Sequence, residues 1–346
     1  MSNKIDSLLS TVAPSDEVKH LREKNKQLES ALKKRQRDSG QIAELMAEVL
    51  ELVPQAKPVK ISYKAGKDVE VASPVTHVLQ VTDWHIGEYV PADSVEGFGG
   101  TDWETAQARV AKFSTNVVKN AQMKRSAYQI DTCQVLGTAD WVSGGIHEEL
   151  KVTNEFPEPV QAVNAGFLLG TFIESLAPHY NVVNVDVITA GNHDRLTRKP
   201  QSADGGLNSW GYVVCMIARE YLKRLPNVRF NVHTALSAVV DVGGQRYLIS
   251  HGDGIMGTWG IPFYGIERKK QREAMARMNM PVHTHFDKIV IGHFHASVNH
   301  SDWLIGGSLS GTTEHDHKAG RHSRPHQTAW FVHPRHGEFD WSRWEL

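Results

Sequence analysis

The chain predicts a mixed α/β fold, two stacked β-sheets flanked by helices, preceded by an N-terminal helical extension. Three observations carry the prediction. Strand-like and helix-like stretches alternate from His77 to Leu225, and short strands dominate after that point. Residues 15–53 instead repeat apolar positions every seven residues. With 346 residues, 40% of them hydrophobic and 22% charged, the chain can bury a substantial core in one large domain or two ordinary ones.

The extension covers residues 1–54. Ser15 after Pro14 is suited to cap a helix, and Pro54 stops it. Val18, Asn25, Leu32, Ser39, Met46 and Val53 form one heptad series, with Leu21, Leu28, Arg35, Ile42 and Val49 three positions on. Asn at an inner position favours a paired helix, so the pattern predicts a coiled coil joining two copies. A wet helix packed on the rest of the chain is the alternative. Residues 55–74 read as a linker and short hairpin turning at Ala65-Gly66-Lys67-Asp68.

The main domain covers 75–346. Strands are expected at His77–Thr82, Gln134–Leu136 and Val185–Thr189, with amphipathic helices at Trp103–Arg125 and Pro159–Leu176. After a helix over Asn208–Leu225 come short strands at Val228–Asn231, Ala238–Val242, Arg246–Ser250, Ile289–Gly292 and Ala329–His333.

Composition limits the function classes. A net charge of −1 gives no global attraction to a polyanion, so any basic surface must be local. Cys133 and Cys215 sit in apolar runs and read as buried, reduced thiols. No basic, apolar leader opens the chain, and no apolar run approaches the roughly 18 residues needed to span a bilayer. The expectation is a soluble, cytoplasmic protein.

Four motifs carry chemistry: Asp83-Trp84-His85, Gly191-Asn192-His193-Asp194, His251-Gly252-Asp253 and Gly292-His293-Phe294-His295. Each follows an apolar run that reads as a buried strand, and ligands at strand ends converge on one rim of a sheet. Asp83 and His85, two apart on an extended chain, share a face. Asp140, closing the run Gln134-Val135-Leu136-Gly137-Thr138-Ala139, is the best candidate for a carboxylate bridging two ions. Asn192 offers an amide oxygen, and His251, His293 and His295 offer nitrogens. Such mixed oxygen and nitrogen sets suit manganese, with iron, zinc or nickel as alternatives. Two ions roughly 3.5–4 Å apart would share a hydroxide able to attack phosphorus. His193, beside Asn192, is placed to protonate the leaving oxygen. Among 19 histidines chance pairs are expected, and His283 with His285 and His315 with His317 read as such.

In this order the motifs resemble the calcineurin-like metallophosphoesterase superfamily over roughly residues 75–300. The resemblance implies a four-layer αββα sandwich. It assigns Asp83, His85, Asp140 and His295 to one metal and Asp140, Asn192, His251 and His293 to the other. His193 would be the general acid, with Asp194 orienting it. One departure stands out: the family's second motif usually reads Gly-Asp, and here Ala139 precedes Asp140. Trp141-Val142-Ser143-Gly144 and Ser323-Arg324-Pro325-His326-Gln327-Thr328 look like phage-encoded members, often compared with SbcD-type DNA repair nucleases. That likeness would place the protein in the cytoplasm of a bacterium or phage-infected cell, although no separate capping domain follows His295.

The substrate must be read from local features. Arg195, Arg198 and Lys199 follow the Asn192 motif. Arg268, Lys269, Lys270, Arg272 and Arg277 crowd a helix-like stretch after Trp259, Phe263 and Tyr264, a mixture suited to single-stranded nucleic acid. Lys318, Arg321 and Arg324 lie in a later loop with several histidines, and His147 with Glu148 and Glu149 follows Asp140 closely. The expected substrate contacts are Arg195, Arg198, His147, Arg268, Lys269 and Arg324. Together these features predict a nucleic-acid phosphodiesterase, a DNA exo- or endonuclease. A phosphomonoesterase or nucleotide phosphodiesterase with a small substrate is the alternative, and a non-catalytic nucleic-acid-binding scaffold comes third.

Overall fold

A computed structural model describes residues 46–62, 74–200, 205–256 and 262–346, together with Glu23, Lys24, Lys26, Ser30 and Glu44. The chain divides into two units, Met1–Val53 and Pro54–Leu346. In the first, residues 46–51 are helical. Most of the heptad series, and the turn at Ala65-Gly66-Lys67-Asp68, lie outside the described residues.

The second unit holds two mixed sheets. The first is ordered β11 (Gly337–Glu345), β10 (His326–His333), β1 (Pro74–Val81), β2 (Gln129–Gly137), β3 (Val182–Ile188) and β4 (Val228–His233). Strands β1 to β4 run parallel, and β10 and β11 are antiparallel to their neighbours. The second is ordered β5 (Ser237–Val242), β6 (Gln245–Ser250), β7 (Lys288–Ile291), β9 (Trp303–Ile305) and β8 (Val298–Asn299), with β6, β7 and β9 parallel. Parallel strands place their C-terminal ends on one edge, which explains why the motifs converge.

Three apolar interfaces make this a four-layer sandwich. Helices α1 (Trp103–Lys124), α3 (Glu158–Leu176) and α4 (Trp210–Leu222) cover the first sheet, with Val110, Phe113, Leu169, Phe172 and Val214 against Leu79, Val135 and Val185. Between the sheets, Val78, Leu136, Ile188 and Trp330 meet Val240, Tyr247, Ile249 and Val290. On the far side Ile266 of α5 (Phe263–Arg277) meets Leu248, Ile289 and Ile305. Two short helical turns, α2 (Leu150–Thr153) and α6 (Glu314–Lys318), sit in loops. Strand β1 is buried on both faces from His77 to Val81, so its sequence does not alternate apolar with polar residues and the buried His77 and Gln80 are paired. Fully burying each side chain such as Val78 or Leu79 contributes roughly 1.5–3 kcal/mol.

The helix boundaries follow capping chemistry. Asp102 accepts from Thr105 N to start α1, and Ser209 accepts from Tyr212 N to start α4. Strands β8, β9 and β11 have no counterpart among the sequence expectations: β8 and β9 span only two and three residues. β11 is a partly exposed edge strand dense in polar groups. By length and composition alone, Glu158–His179 is long and apolar enough to cross a bilayer. Its apolar residues are those of α3, however, and they pack against the first sheet. Both cysteines are free and buried.

A polar tie joins the sheets beneath the converging strand ends. Gln80 Nε2 donates to Ile291 O across the interface (2.8 Å) and to Thr138 Oγ1 (3.2 Å), while Thr328 Oγ1 donates to Gln80 Oε1 (3.1 Å). These bonds fix the loop after β7 against the loop after β2. A buried amide is acceptable there because both its ends are paired.

Candidate metal centre

Every expected ligand sits just beyond a strand end. Asp83 and His85 follow β1, Asp140 follows β2, and Asn192 follows β3. His251 follows β6, and His293 and His295 follow β7. Asp83, His85 and His295 bring their ligand atoms within 4.8 Å of one another, as do Asp140, His251 and His293. Asn192 joins the second group, its Oδ1 lying 2.9 Å from His251 Nε2. His85 and Asp140 also group with His193, which places the three clusters side by side.

Local backbone geometry explains the motif residues. Asp83, His85, Ala139, Asp140, His293 and His295 all have φ between 47° and 71°, the left-handed region that non-glycine residues rarely occupy. Such conformations persist only where surrounding bonds over-determine them. Here Asp83 N donates to Ala139 O, His85 N to Asp140 O and Ile86 N to Trp141 O, locking the first two loops side by side. Ala139, at φ 71°, thus takes a left-handed conformation that glycine adopts without a steric cost. The glycines before Asn192 and His293 serve close approach. A Cβ on Gly191 would lie 2.0 Å from Asp140 Oδ1, and one on Gly292 would lie 2.3 Å from Asp83 Oδ2. In that space His193 N donates to Asp140 Oδ1 (2.9 Å) and His293 N donates to Asp83 (3.0 Å).

The imidazoles are aimed by their outer nitrogens. His251 Nδ1 meets Thr138 O at 2.9 Å, His193 Nδ1 meets Ser143 O at 2.7 Å, and His295 Nδ1 meets Asp316 Oδ2 at 2.9 Å. A carbonyl or carboxylate only accepts, so each Nδ1 carries hydrogen and each Nε2 turns inward. His85 Nε2 and His295 Nε2 lie 3.2 Å apart, while His251 Nε2 lies 3.0 Å from Asp140 Oδ2. Inward imidazole nitrogens, able to give up a proton to a metal, fit divalent cations beside two buried carboxylates by both charge and donor type.

Burial alone would raise the Asp83 and Asp140 carboxyls. The imidazoles outweigh it, His295 and His85 on Asp83 and His251 on Asp140, and hold both below the usual carboxylate range. Burial lowers His251, but the carboxylates of Asp140, Asp83 and Asp253 together outweigh it and leave it at about 10. His193 is pushed down to about 3 by burial and the neighbouring His85, and His293 to about 4 by burial and His251.

Asp194 differs from its expected part. Its carboxylate accepts from the backbone N–H of Asp140 (2.8 Å) and of Trp141 (3.0 Å), so it shapes the Asp140 loop, and Ser143 rather than Asp194 orients the His193 ring. Burial and the nearby Asp140 charge push Asp194 up to about 8.

A cavity of about 690 Å³ opens over the centre, lined by His85, Asp140, Asn192, His193, His293 and His295. His147 and Arg198 line it as expected, although Arg198 is paired with Glu148 at 2.7 Å. Four other expected substrate contacts do not line it. Arg195 pairs by its backbone with Ser209 in an isolated antiparallel bridge. Arg268 and Lys269 ride on α5, which covers the outer face of the second sheet, and Arg324 pairs with Glu345 of β11. Carboxylates that sequence patterns did not mark take their place: Glu88, Glu314 and Asp316, the last paired with Arg321. The pair His315 and His317, read as incidental, flanks Asp316, and His315 lines the cavity.

No protein-family model matches the chain, and no curated protein matches it significantly. Among solved structures, Vps29 of Entamoeba histolytica complexed with zinc is 12% identical, with 78% of this chain and 98% of that chain covered and a TM-score of 0.28. A predicted phosphoesterase of Streptococcus pneumoniae is 11% identical over 52% and 91% of the two chains, with a TM-score of 0.26. A putative 5'-nucleotidase of Staphylococcus aureus in complex with α-ketoglutarate is 10% identical over 79% and 54%, with a TM-score of 0.31. Similarity at this level bears on neither family nor substrate.

Proposed function

We propose that this chain is a metal-dependent phosphoesterase. The observation that carries the reading is the convergence of His85, His295 and His251 Nε2 atoms on the buried carboxylates of Asp83 and Asp140. Asp83, His85, Asp140 and His295 would hold one divalent ion, and Asp140, Asn192, His251 and His293 a second, manganese being the first choice. Bound ions of this kind supply Lewis acidity toward phosphoryl oxygens and make water nucleophilic at neutral pH.

The chain's own groups do the rest. The strained loops hold Asp83 and Asp140 rigidly, so little reorganisation is needed when charge develops. His193, held through Nδ1 by Ser143, presents Nε2 to the cavity. Burial keeps this ring neutral in the free protein. The negative charge of a bound phosphate raises its proton affinity, which lets it protonate the leaving oxygen.

Nucleic acid, DNA in particular, remains the proposed substrate on the strength of α5, where Arg268 lies 5.8 Å over the Tyr264 ring among further cations. A specific observation favours the second reading, a small phosphoester: the cavity itself is lined by Glu88, Glu148, Glu149 and Glu314, which repel a polyanion. The narrower likeness to phage-encoded and SbcD-type enzymes, pairing through the N-terminal helix and a cytoplasmic site of action belong to the same proposal.

The test is a manganese-supplemented panel of single- and double-stranded DNA, RNA, cyclic dinucleotides, a generic phosphodiester and a phosphomonoester, with His193→Ala as control. Turnover that requires both metal and His193 is expected. Absence of metal-dependent turnover on every member would sink the reading. Salt separates the two substrate classes, since affinity for a chain of phosphates falls steeply with salt and affinity for a small ester does not.

A further inference from the structure

Between β9 and β10 the chain carries a carboxylate that the motifs leave unassigned. Thr313 caps α6 by accepting from Asp316 N (3.2 Å), and its hydroxyl donates to Asp316 Oδ2 (3.1 Å). Asp316 Oδ2 also faces His295 Nδ1 at 2.9 Å, and Oδ1 meets Arg321 Nη2 at 3.0 Å. The carboxylate is therefore buried with both of its oxygens paired. Because it can only accept, it keeps hydrogen on His295 Nδ1 and leaves Nε2 as the nitrogen available to a metal. That nitrogen lies 3.5 Å from Asp83 Oδ1 and 3.2 Å from His85 Nε2. Without the acceptor the ring is free to take the other tautomer or to turn away. His251 in the neighbouring cluster is oriented by the Thr138 carbonyl at 2.9 Å and does not depend on Asp316.

We propose that Asp316 is a positioning residue that fixes His295 as an Nε2 ligand, and so sets the metal affinity of the Asp83–His85–His295 cluster alone. The proposal rests on the metal reading above. Outer-shell partners of metal-ligating histidines typically contribute roughly 10–100-fold in affinity.

Calorimetric titration of Mn2+ into the metal-free full chain tests it. The wild type should take up two ions. Asp316→Ala should weaken one of them by roughly 10–100-fold and leave the other unchanged. Asp316→Asn, whose amide oxygen still accepts from Nδ1, should restore most of the loss. Unaltered affinities in Asp316→Ala overturn the proposal alone, and so does equal weakening of both ions, because a general loosening of the loop would act on both. A wild type that binds no metal removes the metal reading and this proposal with it.

Discussion

The two sheets contribute unequally to the centre. The first supplies every oxygen, from Asp83, Asp140 and Asn192, and, apart from the His193 ring, only one inward nitrogen, from His85. The second supplies nitrogen alone, from His251, His293 and His295. The charged partners are thus split across the interface. By itself the first sheet would bury Asp83 and Asp140 with His85 alone as a buried imidazole, while the second brings imidazoles and no carboxylate ligand. An isolated buried carboxylate costs several kcal/mol, so the centre is complete only when the sheets dock. Even the orientation of the second sheet's ligands is borrowed: Thr138, which aims His251, follows a first-sheet strand, and Asp316, which aims His295, precedes another.

The sharpest way to break this division is at Asp140, the one oxygen ligand facing both clusters. Asp140→Asn should lower kcat on the order of 10⁴-fold, as loss of a member of a concerted site does, and should reduce bound metal at both positions. Elemental analysis beside the assay checks it, and retention of both ions would move the bridge elsewhere. His193→Ala comes next. It should cost roughly 10²–10³ in kcat while metal content stays whole, because His193 would act on the leaving group. Loss of metal along with activity would make it a ligand instead.

Acidity acts in opposite directions on two histidines of the second sheet. In metal-free protein, His251 lies at about 10, above its ordinary 6.5, so its contribution to stability is full below 6.5 and lost as pH rises through about 10. His293, at about 4, contributes above 6.5 and loses that as pH falls through about 4. The melting temperature of chelator-treated protein should therefore peak near neutrality and fall on both sides. Monotonic behaviour would show that the two groups do not oppose each other. Manganese uptake near pH 7 should also release the His251 proton, seen as a dependence of binding heat on the buffer.

The smallest effect concerns the tie between the sheets. Gln80→Leu should cost about 1–3 kcal/mol in urea unfolding, since Ile291 O and Thr138 Oγ1 lose a buried donor. An undiminished stability would mean that the ligand histidines alone hold the sheets in register.

Much of this was legible in the residues, for physical reasons. Strand ends announce themselves where an apolar run stops at Asp or His, and the close-approach glycines mark where a second chain must pass. Asp316 left a fainter trace: Thr313-Glu314-His315-Asp316 has the spacing of a capping box, which identifies a helix start but not the histidine beyond it. Basic residues misled most. Arg268, Lys269 and Arg324 are near the motifs in sequence, yet position along the chain does not say which side of a sheet a helix covers, nor that Glu345 would claim Arg324. The carboxylates of the cavity wall come from separated loops, and only the fold brings them together.

Ala139 shows how finely the Asp140 loop is set. A left-handed conformation costs a non-glycine residue roughly 1–2 kcal/mol, and the Ala139 methyl, packed in the layer between the sheets, returns about 0.8 kcal/mol. Glycine at this position would thus leave the melting point nearly where it is while widening the range of angles the loop can sample. The residue governs stiffness more than stability, and its trace would appear in relaxation measurements on the Asp140 amide.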